Sequence, residues 1–302
     1  MFQPLDFCHF NKIYEFLSIG GAEDSFSSVT TLKGWQKLFD PQIYIHEDFI
    51  LTALKADGVL HFRAPLVKSR EKFGAAADCI QNAGGRVINL VSGWQADILK
   101  EKGYLVSPVR SMAEYIYAAQ DLITLKGKKY HAKRNFINGF PLPYTFRTYT
   151  PEDYQGVMAL MEQWSLASSC RAMGEEVNAT SWSYLWDELK ISDYDMERAV
   201  LQDVLPRLKE YRLFADVLEA DGKVIGFAAG EILTPDMGVI HFEKADISYK
   251  GIYALLDNLF VKKHFGDVAF VNKQEDLGLE GLRKSKLSYH PVRLAEKFNC
   301  KR

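Results

Sequence analysis

Runs of apolar residues with the period of strands and of helices alternate along the first half of the chain. Residues 43–67 predict two strands joined by a turn at Asp57-Gly58, because an Asp-Gly pair between alternating apolar residues favours a hairpin. Helical spacing follows over residues 69–85 and stops at two glycines, which is a common helix end. Residues 86–92 then predict a buried strand.

The second half contains the same kinds of element. Residues 214–232 predict another hairpin with its turn at Asp221-Gly222, and residues 238–246 predict a strand. Residues 251–273 predict a helix followed by a further strand. The order is similar in the two halves, although no residue-level repeat is visible.

This repeated order predicts an α+β protein of two domains, each a mixed sheet flanked by helices. The boundary is expected in the basic segment near the middle, so that residues 1–122 form the first domain and residues 123–302 the second. A length of 302 residues also favours two domains over one.

Composition narrows the class of protein. Hydrophobic residues make up 47% of the chain and the formal net charge is −2, as in an ordinary globular protein. No apolar run approaches the roughly 20 residues that span a bilayer, and the first residues lack the pattern of a signal peptide. The four cysteines show no paired metal-ligand spacing, so we expect a soluble cytoplasmic protein without a metal site or disulfides.

The segment "LKGKKYHAKRNF", residues 125–136, concentrates positive charge. Five fixed charges fall within nine residues, at Lys126, Lys128, Lys129, Lys133 and Arg134. On a helix, the first, third and fourth of these would share one side and repel one another. No acidic residue within the segment relieves this repulsion, which favours an anionic partner, with nucleic acid ahead of a membrane surface. A solvated helix face or a structural linker is the alternative.

Residues 272–291 form a second polar region directly after a predicted strand, and strand ends commonly hold sites. An exposed helix with a polar loop is the alternative interpretation. The ionisable and polar side chains of this region are Asn272, Glu275, Asp276, Glu280, Arg283, Lys284, Lys286, Ser288, Tyr289 and His290.

A third candidate lies between these elements. Strand alternation predicts that His241 and Glu243 point to one face of their strand. The next helix begins near Lys250-Gly251, where backbone N–H groups and the helix dipole would favour an anion. A structural histidine and a glycine that permits a tight turn are the alternatives.

Three segments together resemble the phosphatidylglycerol lysyltransferase C-terminal-domain family: residues 125–140, 238–253 and 271–298. The resemblance is carried by a family pattern of asparagine, acidic, glycine, basic and aromatic residues. It falls on Asn272, Glu275, Asp276, Gly278, Gly281, Leu282, Arg283, Lys286, Ser288, Tyr289 and Pro291.

This resemblance implies two tandem GNAT-like acyltransferase domains, related to the Fem-type aminoacyl transferases. Lipid-modifying members of the family move an aminoacyl group from charged tRNA to phosphatidylglycerol. The expected function is therefore acyl or aminoacyl transfer from an activated donor, either aminoacyl-tRNA or acyl-CoA. The acceptor would be an amine or hydroxyl of a small molecule or lipid head group. The alternative is a non-catalytic protein that binds anions or nucleic acid and retains the fold.

Acyl transfer needs positioning, a base for the acceptor proton and donors for the developing oxyanion. Glu243 or Glu275 is the predicted base, with Asp276 in reserve. The predicted substrate-binding residues are Lys126, Lys129, Lys133, Arg134, His241, Lys250, Gly251, Asn272, Arg283, Lys286, Ser288 and Tyr289. No cofactor, metal or protein partner is predicted, and the basic segment is assigned to a tRNA acceptor stem.

Overall fold

The structure, a computed structural model, describes residues 1–34, 40–56, 58–172 and 193–302. Its strands are β1 (Gln3–Pro4), β2 (Asp40–Ile45), β3 (Phe49–Ala56), β4 (Val59–Arg63), β5 (Leu66–Val67), β6 (Val87–Val91), β7 (Leu105–Pro108), β8 (Glu114–Ala118), β9 (Thr145–Thr148), β10 (Phe214–Ala220), β11 (Lys223–Thr234), β12 (Met237–Ala245), β13 (Phe270–Asn272), β14 (Arg293–Ala295) and β15 (Phe298–Lys301).

The helices lie on the faces of the sheets that these strands form. They are α1 (Phe10–Gly20), α2 (Val29–Gly34), α3 (Phe73–Asn82), α4 (Gly93–Glu101), α5 (Ala119–Thr124), α6 (His131–Asn138), α7 (Tyr154–Ala172), α8 (Asp193–Val204), α9 (Ile252–His264) and α10 (Glu280–Leu287). Helices and mixed sheets in this arrangement confirm the predicted α+β class.

Two sheets repeat one strand order. The first runs β1-β2-β3-β4-β6-β15-β7, with β5 also paired to β3, and the second runs β9-β10-β11-β12-β13-β8-β14. Each sheet contains one parallel pair, β4 with β6 and β12 with β13, and in each case a helix connects the two strands. The strand order and the helix between the parallel strands are therefore the same in both sheets, although the sequence shows no residue repeat.

The two sheets also exchange a strand. β8 follows the elements of the first sheet but pairs with β13 and β14 of the second. β15 follows the elements of the second sheet but pairs with β6 and β7 of the first. The predicted boundary after residue 122 stays a prediction, and each sheet is completed by chain from the other side of it.

Local rules account for several element ends. Asp221 and Gly222 have φ angles of 49° and 69° between β10 and β11, the left-handed pair that a tight hairpin turn needs. The pairing of β3 with β4 confirms the first hairpin, while its turn residue Asp57 lies outside the described residues. α8 ends at Val204, before Pro206, because proline removes a helix hydrogen bond.

The largest apolar core lies between the two sheets. It joins residues of α1, such as Ile13 and Leu17, to residues of β11 and β12, such as Phe227 and Val239. The hydroxyl of Tyr14 on α1 donates a hydrogen bond of 2.6 Å to Glu231 on β11. Packing and buried polar contacts therefore hold the first half of the chain against the second sheet.

In each sheet the parallel pair separates after a short run of pairing. β4 and β6 pair through Arg63 and Asn89; past this point the N–H of Leu90 donates to the Asn299 side chain of β15 at 3.1 Å. We call this opening the first fork.

β12 and β13 pair as far as Val239 and Asn272. Beyond them the N–H of Lys273 donates to the carbonyl of Tyr115 at 3.1 Å, so the chain follows β8 instead of β12. This opening is the second fork.

Among the described residues, no helix is both long and apolar enough to cross a membrane.

Candidate active site

The second fork gathers ionisable side chains from several elements. They come from the diverging end of β12, from the helix α9 that connects the two parallel strands, from the chain after β13, from α10 and from α6. The residues are Glu243, Asp257, Lys273, Lys286, Tyr289 and Lys133.

Lys273 is the centre of this group. Its Nζ lies 2.6 Å from Asp257 Oδ1 and 3.3 Å from Glu243 Oε2. Burial opposes the charge of the ammonium, but the attraction of the two carboxylates outweighs burial and raises the pKa of Lys273. The lysine is therefore a fixed cation that holds both carboxylates in place.

One carboxylate oxygen of Glu243 makes no hydrogen bond to any described residue. This oxygen, Oε1, is also buried. Burial raises the pKa of Glu243, and the attraction of Lys273 opposes part of the rise. A carboxylate with a raised pKa and an uncommitted oxygen can accept a proton from a substrate.

Lys286 closes the group from α10. Its Nζ donates to the backbone carbonyl of Lys273 at 2.5 Å and also to that of Glu275. Burial lowers the pKa of Lys286 to about 8. Burial likewise raises the pKa of Glu275, whose buried Oε2 has no hydrogen-bond partner among the described residues. Glu275 thus remains available as the second predicted base.

Two lysines lie against the ring of Tyr289. The Nζ of Lys133 is 3.6 Å from the ring centroid, and that of Lys273 is 4.9 Å from it. The backbone carbonyl of Tyr289 accepts a hydrogen bond of 3.0 Å from Tyr130, which fixes the ring between α6 and the fork. Lys133, which the sequence assigned to tRNA, therefore points into the fork.

Asp276 has the contacts of an anchor. Its carboxylate accepts hydrogen bonds from Arg283 at 2.9 Å, Arg110 at 3.1 Å, Tyr115 at 2.6 Å and the N–H of Gly278 at 2.9 Å. Burial alone would raise its pKa, but these hydrogen bonds prevail and lower the pKa of Asp276 to about 2. A carboxylate with these contacts and this pKa is poorly suited to act as a base. Asp276 instead orients Arg283 at the surface.

His241 and Glu243 lie on opposite faces of β12, contrary to the alternation rule. The register of β12 against β11 shifts between Ala229 and Gly230, so His241 is an additional residue in a β-bulge. His241 Nε2 contacts Glu231 at 2.7 Å and Ser28 at 3.4 Å in the core between the sheets. The prediction of a shared face was wrong because a bulge interrupts the period of two.

Other predicted residues make structural contacts. Asn272 donates to the carbonyl of Glu23 at 2.8 Å and accepts from the N–H of Gln274 at 2.7 Å. The Ser288 hydroxyl donates to the carbonyl of Ser285 at 2.5 Å. These bonds connect the polar region to the first half of the chain and to the end of α10.

Gly251 is the N-cap residue of α9 and has a φ of 89°. A Cβ atom there would lie 2.8 Å from the Cβ of Phe136 on α6, so the absence of a side chain lets α6 approach. Lys250 is exposed, with its Nζ 5.8 Å from the Phe136 ring. Phe136 thus covers the position at which the sequence suggested an anion.

The basic segment is one short helix preceded by a single 3-10 turn over Lys128–Tyr130. Lys126 lies before both, so Lys126, Lys129 and Lys133 do not form the one helical stripe considered from the sequence. Lys129 pairs with Asp121 at 2.9 Å. Arg134 donates to the carbonyls of Leu125 and, at 2.8 Å, Gly127. Part of the charge is therefore used inside the fold.

Two residues of the fork escaped the sequence analysis. Lys273 occupies an unspecified position of the family pattern, and Asp257 lies in an apolar helix. The signal for Asp257 was present, because an acidic residue in the middle of the apolar run 252–261 is unusual unless it is paired. No local signal marked Lys273.

Comparison with known proteins adds family and fold. A family model described as phosphatidylglycerol lysyltransferase, C-terminal, matches residues 14–301. A conserved protein of Bacteroides thetaiotaomicron has a similar structure at 27% identity and a TM-score of 0.84, covering 99% of this chain and 98% of that one. L-PGS from Bacillus licheniformis is similar at 16% identity and a TM-score of 0.63, covering 97% and 91%.

A third similar structure is a tandem GNAT protein from the clavulanic acid biosynthesis pathway. It has 12% identity and a TM-score of 0.50, covering 100% of this chain and 98% of that one. At this identity the likeness concerns the fold alone. Together with the duplicated sheets, it confirms the predicted tandem GNAT-like architecture.

Proposed function

Because the chain belongs to the phosphatidylglycerol lysyltransferase C-terminal family, we propose that it transfers an activated acyl or aminoacyl group to an amine or hydroxyl acceptor. The second fork is the proposed site of the reaction. The observation that carries the proposal is Glu243, a buried carboxylate held by Lys273 on one oxygen and uncommitted on the other among the described residues.

Glu243 is the proposed general base. As the acceptor oxygen or nitrogen attacks the acyl carbonyl carbon, Oε1 takes its proton. The raised pKa of Glu243 makes it a stronger base than an ordinary glutamate, while the attraction of Lys273 favours its ionised form. Asp257 balances Lys273, so that the ammonium does not hold Glu243 too tightly.

The negative charge that develops on the carbonyl oxygen needs a donor. Lys133 is the proposed donor, because its ammonium lies on the Tyr289 ring and makes no ion pair within 4 Å in the part of the chain that the structure describes. Lys286 is committed to two carbonyls and serves to position the chain around Glu275.

The donor is proposed to be aminoacyl-tRNA, with acyl-CoA as the second possibility. Lys126 and Lys128 are exposed beside the fork and could contact phosphates. Arg283 is partly exposed and oriented by Asp276, so it could contact a phosphate or carboxylate of the donor. A small molecule or lipid head group is the proposed acceptor, and a cytoplasmic location is proposed with it.

One observation favours a second candidate, a non-catalytic protein that binds anions or nucleic acid. Phe136 covers Gly251 at the start of α9, where the backbone could otherwise have approached a donor phosphate. A protein that kept the fold and the basic surface without turnover would tolerate this packing.

The test uses hydroxylamine as a small generic acceptor and measures hydroxamate formed from mixed aminoacyl-tRNA or from acetyl-CoA. We expect one donor to react faster with the protein than without it. Glu243→Gln should lower this protein-dependent rate by about 10²- to 10⁴-fold, the usual contribution of a general base. Glu210→Gln, at an exposed glutamate far along the chain, is the matched control and should leave the rate unchanged.

Two results would count against the proposal. Binding of a donor without any acceleration supports the non-catalytic candidate. Full activity of Glu243→Gln, with circular dichroism unchanged, moves the base to another residue, and Glu275→Gln would then be measured in the same assay.

A further inference from the structure

Lys133 is the one basic residue of its segment that turns into the second fork. Lys129 is paired with Asp121, and Arg134 is bonded to carbonyls. The Lys133 amine instead lies half-buried on the face of the Tyr289 ring, 3.6 Å from its centroid. An aromatic face holds an ammonium weakly and does not block its nitrogen as a carboxylate would.

We propose that Lys133 is itself an acyl acceptor, so that the protein acylates its own α6 at the mouth of the second fork. This inference rests on the proposed function, since it uses the same activated ester or thioester donor. It assigns a modification site to a residue whose neighbours in the fold place it beside the proposed base.

The reaction is balanced without any further reagent. The neutral Nζ of Lys133 attacks the carbonyl carbon of the donor, and a C–N bond forms. The C–O bond of an ester donor, or the C–S bond of a thioester, breaks. One proton passes from the nitrogen through Glu243 to the leaving oxygen or sulfur. The products are Nε-acyl-lysine and an alcohol or thiol.

The other lysines nearby are poorer acceptors. Lys273 is held by two carboxylates and Lys286 by two carbonyls. Lys126 and Lys128 are exposed to water, without the burial that favours a neutral amine at Lys133. The first two amines are therefore blocked by their partners, and the other two lack the surroundings of Lys133.

Burial is the main influence that favours the neutral form of Lys133. Burial and the neighbouring Lys273 lower its pKa to about 8, although Asp257 and Glu243 act in the opposite direction. About a tenth of the amine is then neutral at pH 7, against roughly one part in 2,500 for an ordinary lysine. The larger neutral fraction outweighs the weaker nucleophilicity that accompanies a lower pKa.

Acylation would remove the positive charge and leave an amide at the mouth of the fork. The protein would then lose its proposed oxyanion donor when donor is abundant and acceptor is scarce. Self-acylation would therefore inhibit the transfer reaction.

The probe is p-nitrophenyl acetate, an activated ester that any reactive amine can use. Native protein is treated at pH 7.5, and acetylation of each lysine is followed over time by peptide mass spectrometry. We expect Lys133 to react about tenfold faster than Lys128 on the same segment. Unfolding in urea should bring the two rates together, and Lys133→Arg should remove that adduct while leaving Lys128 labelling unchanged.

A native rate at Lys133 less than twofold above that at Lys128 overturns the inference, as does selectivity that persists in urea. The result is separable from the test of function. Selective labelling of Lys133 in a protein that transfers nothing to hydroxylamine supports the modification site and rejects the transferase. Transfer to hydroxylamine without selective labelling does the reverse.

Discussion

The first and second forks occupy the same place in two sheets of the same strand order, yet different chemistry fills them. Both parallel pairs end at an asparagine, Asn89 in the first and Asn272 in the second. The next residue is Leu90 in the first fork and Lys273 in the second. An apolar side chain thus corresponds to the cation on which the proposed active site is built.

The surroundings of the two forks follow the same contrast. A narrow cleft at the first fork is lined largely by apolar and neutral residues, together with one acid and one base. These are Asp24, Phe26, Ser27, Leu32, Thr52, Arg63, Ala64, Leu66, Asn89 and Leu90. The second fork instead brings three lysines and two carboxylates around one tyrosine.

The shared strand order thus decides where each sheet opens, and side chains decide what the opening does. Strand separation is a property of topology, which the two sheets share. Function depends on the groups placed in the opening. Substitutions at the two forks therefore distinguish the reactive opening from the other and show what holds it in shape.

The largest effect is expected from Lys273→Met. Removing the ammonium leaves Glu243 and Asp257 buried without their cation, and breaking a buried pair in this way costs about 3–5 kcal/mol. The free energy of unfolding in urea measures the loss. Leu90→Met is the matched change in the first fork and should cost less than about 1.5 kcal/mol, because it conserves volume. Equal costs at the two positions would remove the asymmetry between the forks.

Asp276→Ala should lower the free energy of unfolding by about 2–3 kcal/mol. This is less than for a wholly buried pair because Arg110 and Arg283 are partly exposed and water screens them. At the first fork, the residue after the parallel pair donates its N–H to the amide oxygen of Asn299. The contacts of Asp276 belong to the second fork. Glu280→Ala, an exposed acid in the same region, is the control and should be near neutral.

The sign of the pH dependence follows from the lowered pKa of Asp276, about 2 in the folded protein. An ordinary aspartate titrates near 3.9 in the unfolded chain, so its stabilisation is present above about pH 4. It is lost as the pH falls through the folded value. The difference between wild type and Asp276→Ala should therefore shrink between pH 5 and pH 2. A difference that is constant over this range would mean that the carboxylate is not the stabilising group.

Gly251→Ala should cost about 1–2 kcal/mol. The left-handed φ of 89° disfavours a side chain, and the added Cβ would press on Phe136. The corresponding helix of the first fork, α3, begins after Lys72 and needs no such glycine. Gly281→Ala adds a methyl group in open space on α10 and should be neutral or slightly stabilising. Thermal unfolding of both variants decides whether close packing explains Gly251.

The smallest effect is expected at the surface beside the second fork. If Lys126 and Lys128 contact tRNA phosphates, changing both to Gln should reduce the slope of log K against log salt by about 1.4–1.8. Filter binding of tRNA over a series of salt concentrations measures the slope. Lys55→Gln with Lys100→Gln, exposed lysines of the first half, should leave it unchanged. The same slope for both double variants would mean that this surface does not bind the nucleic acid.

Sequence reasoning succeeded where a rule is local. The Asp221-Gly222 turn, the end of α8 before Pro206 and the strand–helix–strand order over 238–272 follow from neighbouring residues. The polar region after β13 was singled out by its glycines and its composition, and its role in a site stays a prediction. The roles within that region were not predictable, since the sequence alone does not distinguish a structural ionisable residue such as Asp276 from one at the proposed site such as Lys273.

The predictions that were wrong or missing concern residues whose partners are distant in the chain. The bulge at His241 arises from the register of β12 against β11, and period-two alternation carries no information about register. Asp257 and Lys273 lie 16 residues apart and meet only because α9 folds back along the parallel pair. The basic segment looked uniform, but its neighbours in the fold separated an ion pair, a carbonyl-bound arginine and a lysine in the fork.

The amino-acid sequence by itself determined the α+β class, the hairpins, several helix ends and the family, because periodicity, turn residues and a spaced motif are all properties of adjacent positions. Only the tertiary structure decided which sheet receives β8 and β15, since an alternating strand specifies two faces but not its neighbours. It also decided that Lys273 is paired with two carboxylates, and that one oxygen of Glu243 has no hydrogen-bond partner among the described residues. Charge, burial and pairing are set by groups that meet in space, and those groups come from five separate elements of this chain.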